Sequence, residues 1–386
     1  MQNFTFYTPT KILFGKDQIQ NLAPEILTYC RNILLVYGKA SIKKNGLYDK
    51  VVRQLQEHDI HYIELGGIDP NPRISSVREG SRLCRKHHLQ FILAVGGGST
   101  IDCAKAIAFA ALYEGDPWDF WIKKTEITQA LPIGSVLTLA ATGSEMNWGS
   151  VITNEVTEAK IGRSSPHFYP KFSILDPTIT CTVPANQTAA GVADIMAHVY
   201  ESYFSPVTTA YLQDSMAEAV LKTCVKYGPI AIHEPGNYEA RANLMWASSM
   251  ALNGVTSRGK TFEGTLHSVE HALSGITDIT HGVGLAILTV HWFEYILDDS
   301  TQWRFVAFAK NVWDVKGSDD LETARLGIAK TRDFLRSLGL PLSFSEIGIS
   351  NGRFSEIADR SMTGETQGLF KQLTRQDLIN ILNNAL

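Results

Sequence analysis

The residues best suited to chemistry form two pairs with four-residue spacing, Asp194 with His198 and His267 with His271, followed by His281. On a helix, residues four apart share a face, so each pair presents two donors to one neighbourhood. The chain has 11 histidines, and His267, His271, His281 and His291 fall within 25 residues. One carboxylate with two or three imidazoles is a donor set for a divalent transition metal such as Fe2+ or Zn2+. Asp194 lies between Ala193 and Ile195, where a charge on an apolar helix face needs a partner. His58, His61, His87 and His88 have no carboxylate at ligand spacing and read as solvated. His291 reads as packed.

A second candidate is Gly96-Gly97-Gly98-Ser99-Thr100-Ile101-Asp102, directly after the apolar run Phe91 to Val95. Glycines where a strand turns into a helix let backbone N–H groups approach a phosphate at the positive end of the helix dipole. Three consecutive glycines exceed what a turn that merely needs positive φ requires. Ile101 stands where the common dinucleotide fingerprint has its third glycine, and the P-loop's Lys-Ser/Thr ending is absent. A further small-residue segment, Thr138 to Glu145, also follows a strand pattern and suits ligand contact at the carboxyl end of a sheet.

The elements that must carry these residues differ along the chain. Short apolar runs (Ile33–Tyr37, Phe91–Val95, Ile133–Leu137) alternate with amphipathic stretches, the pattern of βαβ units and a mostly parallel sheet. Phe4, Phe6, Ile12 and Phe14 suggest an alternating edge strand interrupted at Pro9. After Asp176-Pro177 the periodicity becomes helical, with helices expected from Gln187 to Phe204, Tyr238 to Leu252, Glu263 to Leu273 (stopping at Ser274-Gly275) and His281 to Leu297. The expected organisation is an α/β dinucleotide-binding domain over 1–178 and an all-α metal-binding domain over 179–386. The 386 residues suit two domains. With 35 basic and 39 acidic residues the net charge is −4, which leaves no electrostatic footprint for nucleic acid or an anionic membrane. No apolar run reaches the ~18 residues of a membrane span. Five scattered cysteines, never two residues apart as in C-x-x-C, favour free thiols in a reducing cytoplasm.

Together, the glycine run at 96–102, Thr142-Gly143-Ser144-Glu145, the Asp194/His198 pair and His267, His271 and His281 resemble the iron-containing (group III) alcohol dehydrogenases. The resemblance runs from Pro9 through Gly15 to the C-terminal helices, and Gly66 to Pro72 is similar to the butanol dehydrogenase branch. It implies a dehydroquinate synthase-like architecture, usually dimeric, that transfers hydride between NADP(H) and a primary alcohol or aldehyde polarised by a metal. By the family's pattern Asp194, His198, His267 and His281 would be the metal ligands, with His271 beside the substrate as a proton shuttle. Gly97, Gly98 and Ser99 would hold the pyrophosphate, Asp102 would approach the nicotinamide, and Thr138, Thr142 and Lys160 would line phosphates and ribose. Gly38, Lys39, Ser41, Asn71 and Asn147 complete the expected cofactor-binding residues.

Gly38 follows the strand pattern Asn32 to Tyr37 where NAD-preferring relatives carry Asp, and Lys39, Lys43 and Lys44 make that loop positive. The expectation is therefore NADPH over NADH, with Fe2+ as metal and Zn2+ accepted by the same ligands. Two rivals share parts of this pattern. A dehydroquinate-synthase- or glycerol-dehydrogenase-like enzyme keeps the fold, but the former needs a basic pocket, and only Arg258 and Lys260 lie near the metal motifs. A metal-dependent hydrolase would need a general base, for which Glu263 or Glu270 could serve. The expected partners are a small alcohol or aldehyde and a second copy of the chain.

Overall fold

The computed structural model describes residues 1–386, which divide into two compact units. One comprises 7–183 with 235–249, and the other 1–6, 184–234 and 250–386. The boundary expected at 178 lies close to the break between 183 and 184, with 1–6 and 235–249 exchanged between the units. Residues 1–6 pack with the helical unit, where Gln2 N–H donates to Gly259 O at 2.9 Å. Most of the helix Tyr238–Leu252 belongs with the sheet.

The sheet unit is built on six parallel strands: β1 (Lys11–Phe14), β2 (Asn32–Tyr37), β3 (His61–Leu65), β4 (Phe91–Gly96), β5 (Ile133–Leu137) and, later in the chain, Phe172–Leu175. A separate antiparallel hairpin intervenes, β6 (Gly149–Asn154) and β7 (Ala159–Ser164), so Phe172–Leu175 is β8. The spatial order is β1-β8-β5-β4-β2-β3. Strands buried on both faces explain the unbroken apolar runs. Leu34 and Val36 enter one core, while Ile33, Leu35 and Tyr37 enter the other. From β2 the chain moves outward to β3, and from β4 it moves the opposite way to β5. The topological switch point thus lies between the carboxyl ends of β2 and β4, the usual ligand crevice of such a sheet.

The expected N-terminal edge strand is shorter than its alternation suggested. Pro9 has no N–H to donate, and pairing begins only at Lys11; Phe4 and Phe6 stay exposed. The hairpin β6/β7 and the 23-residue helix Tyr211–His233, which runs through Pro229, were not anticipated from the sequence.

The helical unit holds Ala185–Tyr203, Thr265–Thr277 and His281–Ile296 as the elements that matter for the site. The second of these was expected to stop at Ser274-Gly275 and instead ends at Asp278, whose left-handed φ of 55° terminates it. Ser274 does not break the helix because its hydroxyl is used inside it, donating to Glu270 one turn back. An aromatic cluster fixes the first helix to the third: Tyr200 and Phe204 stack edge-on or tilted against Phe293 at centroid distances of 5.0 and 4.7 Å.

A buried ion cluster secures the segments flanking these helices. Asp214 accepts from Lys260 and from Arg304 Nη1 (2.8 Å), and both cations lie over the Tyr203 ring. The Lys260 side chain has no exposure, so removing its counter-charge leaves an ammonium buried and unpaired. Asp214→Asn is expected to lower the free energy of unfolding by about 3–5 kcal/mol, measured by urea denaturation.

Candidate active site

The helix Ala185–Tyr203 brings Asp194 and His198 to one buried face, and Glu201 follows on the same stripe. The donors of three helices converge on Asp194 Oδ1: His198 Nδ1 at 3.4 Å, His281 Nε2 at 3.5 Å and His267 Nε2 at 3.8 Å. The rings of His198 and His267 stack at 4.4 Å. Asp194 Oδ1, His198 Nδ1 and His267 Nε2 are buried without a hydrogen-bond partner. Three orphaned polar atoms aimed at one another are costly unless a cation joins them. Donor atoms of Asp194, His267 and His281 lie within 4.8 Å of one another, a spacing one divalent ion can span.

Carboxylates stand behind two of these histidines. His267 Nδ1 donates to Glu201 Oε2 at 2.6 Å, and the His267 backbone N–H donates to Glu201 Oε1 at 3.0 Å. His281 Nδ1 donates to Glu270 Oε2, whose other oxygen accepts from Ser274. Each bond fixes the tautomer that leaves Nε2 facing Asp194, as in carboxylate–histidine–metal triads. The sequence reading missed Glu201, although it lies seven residues after Asp194 and three after His198, on their stripe. Burial would raise the Asp194 carboxyl, but His198, His281 and His267 hold it at about 2. Burial pushes His198 down to about 3 against the pull of Asp194, whereas Glu201 and Asp194 overcome burial at His267 and carry it to about 10.

His271 lies beside this centre, its ring 6.0 Å from that of His267 and 5.6 Å from that of His281. Glu270, His271 and His281 also bring donor atoms within 4.8 Å, but the Glu270 carboxylate is already used by His281 and Ser274. Glu263, the other candidate hydrolytic base, accepts from Leu369 N–H (2.7 Å), Phe370 N–H and Thr265. Neither is available as a base. Lys260 is locked to Asp214, which removes it from any phosphate pocket. His291 faces Leu342 O at 3.0 Å, away from the centre, as expected.

In the sheet unit, Gly97 caps the helix Gly98–Ala110 and Gly38 stands beside it at the switch point, 3.7 Å from Thr100 Oγ1 as measured to an added Cβ. None of Gly96, Gly97 and Gly98 has positive φ. A Cβ on Gly96 would meet Thr100 at 2.3 Å, and one on Gly98 would meet Thr142 Oγ1 at 2.1 Å. Two of the three glycines are therefore required by packing, and only at Gly97 does the nearest side chain stand back to 3.4 Å. Ser99 Oγ donates to Pro70 O, Thr138 N–H to Gly96 O (3.0 Å), and both residues stay partly exposed. Ser41 is exposed on the short helix Ser41–Lys44, while Asn71 and Lys160 are buried, the latter on β7.

Three expected cofactor residues are committed elsewhere. Asp102 accepts from Ser144 Oγ and from Val151 N–H (2.9 Å), so its carboxylate ties two segments together. Asn147 Nδ2 donates to Thr142 O at 3.3 Å, and its Oδ1 accepts from Gly149 N–H (2.9 Å) and Lys105 (3.0 Å). Lys39 pairs with Asp69 at 2.8 Å, a carboxylate the linear reading of the loop could not place there. Of the neighbouring lysines, Lys43 lies over the rings of Tyr37 and Tyr48, whose hydroxyls both donate to Glu64 at 2.7 Å.

Family models agree with this arrangement over both units. Residues 9–177 match iron-containing alcohol dehydrogenase, and 188–386 match the C-terminal part of the Fe-containing alcohol dehydrogenase family. The chain belongs to the iron-containing alcohol dehydrogenase family. It is 48% identical over 388 residues to NADH-dependent butanol dehydrogenase A of Clostridium acetobutylicum, covering all of both chains. It is 39% identical to the NADPH-dependent aldehyde reductase YqhD of Escherichia coli, over 97% of this chain and 98% of that one. Among solved structures, NADH-dependent butanol dehydrogenase A from Thermotoga maritima superposes with a TM-score of 0.96 at 40% identity, covering 100% and 99% of the two chains. The chain is accordingly an NAD(P)-dependent oxidoreductase of this family.

In this iron-containing alcohol dehydrogenase the convergence of the donors depends on a residue that is not itself a donor. A Cβ on Gly282 would meet the carbonyl oxygen of Ala190 at 2.0 Å and its carbonyl carbon at 2.6 Å, one turn before Asp194. Only glycine lets the start of His281–Ile296 press against that backbone. Gly282→Ala must move one helix, with an expected cost of about 1–3 kcal/mol and about a tenfold or greater loss of Zn2+ affinity, although every donor remains. Thermal unfolding and Zn2+ titration of the metal-free protein measure the two effects.

Proposed function

We propose that the protein is an aldehyde reductase, reversible toward primary alcohols, in which Asp194, His198, His267 and His281 hold a divalent metal and NADPH is the preferred reductant. The observation that carries the reading is the set of buried, partnerless donor atoms around Asp194 Oδ1. The carboxylate and three imidazoles suit Fe2+ and Zn2+ alike, and the family description favours Fe2+. When bound, such a metal supplies Lewis-acid polarisation of the substrate oxygen and the reduced nicotinamide supplies the hydride.

The chain's own residues do the rest. Glu201 and Glu270 keep protons on Nδ1 of His267 and His281, so that both Nε2 atoms remain donors. His271 passes a proton to the substrate oxygen during reduction and takes it back during oxidation. Gly97, Gly98 and Ser99 offer the helix's first-turn N–H groups to the pyrophosphate. A homodimer in the cytoplasm belongs to the same reading, and the exposed Phe4, Phe6 and Tyr7 supply apolar surface for it.

His267→Ala and His271→Ala test the division of roles. The first is expected to lose stoichiometric metal and all turnover while the sheet unit still binds nicotinamide; the second is expected to keep metal and lose rate. Metal analysis of the purified variants decides between them, and full metal in His267→Ala contradicts the ligand set.

The NADPH preference rests on Gly38, which brings no carboxylate of its own, and on Lys39 nearby. The Lys39–Asp69 pair is solvent-exposed, and such pairs are worth about 0–1 kcal/mol. A 2′-phosphate carries about −1.5 to −2 charge against the single charge of Asp69, so the same exposed lysine gains by exchanging partners. A Cβ on Gly38 meets nothing closer than 3.7 Å, so Gly38→Asp is sterically tolerated. It is expected to cut the NADPH/NADH ratio of kcat/KM by about tenfold or more, through repulsion of the phosphate. Equal efficiency with both cofactors in the wild type contradicts the preference.

A further inference from the structure

The helix Gly98–Ala110 carries a buried lysine that the reaction as derived does not use. Lys105 has no exposure, and its Nζ lies within hydrogen-bond distance of four oxygens: Ser144 Oγ (2.9 Å), Asn147 O (3.1 Å), Asn147 Oδ1 (3.0 Å) and Gly149 O (2.8 Å). All four belong to the segment following β5. One turn earlier, Asp102 takes the Ser144 hydroxyl and the Val151 N–H, so the two side chains grip the same segment from one helix face. Glu145 within it is fully buried and accepts from Ser249. Burial pushes the Lys105 ammonium down to about 8, against the pull of Asp102 and Glu145.

Burying an ammonium is expensive, and apolar side chains can hold a loop against a helix at no such cost. What the cation adds is position. It meets carbonyl, amide and hydroxyl oxygens that turn inward, and it fixes a polar segment that apolar packing would leave free to slide. That segment touches the helix's first turn, because Thr142 packs so closely on Gly98 that no Cβ fits between them. A displacement of 142–149 therefore reaches the turn that offers its N–H groups to phosphate.

We propose that Lys105 is a positioning residue for the nicotinamide cofactor, holding residues 142–149 in register with Gly97, Gly98 and Ser99. The proposal rests on the functional reading above, which makes that turn the pyrophosphate site. Lys105→Met keeps an unbranched side chain out to Cε and removes the ammonium with its three donors.

The test is titration with NADPH, followed by its fluorescence in the absence of aldehyde, with steady-state kinetics on butanal alongside. Lys105→Met is expected to raise the Kd and KM for NADPH by about tenfold or more, the size of one weakened charge-assisted contact to phosphate. The KM for butanal and kcat at saturating NADPH are expected to stay unchanged. A folded variant with wild-type NADPH affinity overturns the proposal, and so does a parallel loss in both KM values and kcat, which marks general loosening. If Lys105→Met does not fold, Ser144→Ala decides: it keeps the ammonium but removes the hydroxyl shared by Lys105 and Asp102, and it is expected to weaken NADPH binding to a smaller degree. Wild-type affinity in Ser144→Ala overturns the proposal. A wild type that binds no nicotinamide overturns the functional reading itself, and this proposal with it.

Discussion

A carboxylate buried at the centre of a helical unit is the constraint on which the rest of that unit depends. Asp194 is almost inaccessible, and His198, His281 and His267 hold its carboxyl low against the effect of burial. An isolated buried carboxylate would cost several kcal/mol, and ordinary side chains on one helix cannot reach around to screen it. Three helices must therefore meet there. The aromatic cluster about Phe204 and Phe293 brings two of them together, and Gly282 allows the final approach. His281 is the first residue of its helix, so it turns toward Asp194 without displacing a preceding turn.

The glycines beside the two candidate sites do different work, and none of Gly96, Gly97, Gly98 and Gly282 has positive φ. At Gly282 the missing Cβ makes room for another helix's backbone; at Gly96 and Gly98 it makes room for threonine side chains. Gly97 alone of the three has no side chain nearer than 3.4 Å to an added Cβ. Part of the glycine signal read from the sequence as phosphate binding is thus internal packing. The location of the crevice is supported independently by the reversal of strand order between β2 and β4.

What the sequence made legible follows from the range of the interactions involved. The four-residue spacing of Asp194/His198 and His267/His271 is local, so the donors could be paired by face before any fold was known. The strands at 33–37, 91–95 and 133–137 were visible because burial on both faces leaves unbroken apolar runs. The helix through Ser274-Gly275 was cut short because the Ser274–Glu270 bond, which makes serine a satisfied interior residue, is invisible to residue preference. Lys39 looked like an unopposed cation because Asp69 reaches it from the loop after a different strand. Lys105 was overlooked for the same reason: a lysine in an apolar helix reads as solvated until its oxygens, some 40 residues away, are in view.

Both units thus solve one problem in one way. A group that must meet a ligand is exposed to competition from its own surroundings, and it stays available only if the polar groups behind it are already satisfied. In the helical unit Glu201 and Glu270 occupy the far nitrogens of His267 and His281, which turns the near nitrogens toward Asp194. In the sheet unit Asp102 and Lys105 occupy the hydroxyl, amide and carbonyl oxygens of the 144–149 segment. A buried polar network is worth its desolvation only when every member is paired. Here the pairing of Glu201, Glu270, Asp102 and Lys105 orients the residues beside them in each unit.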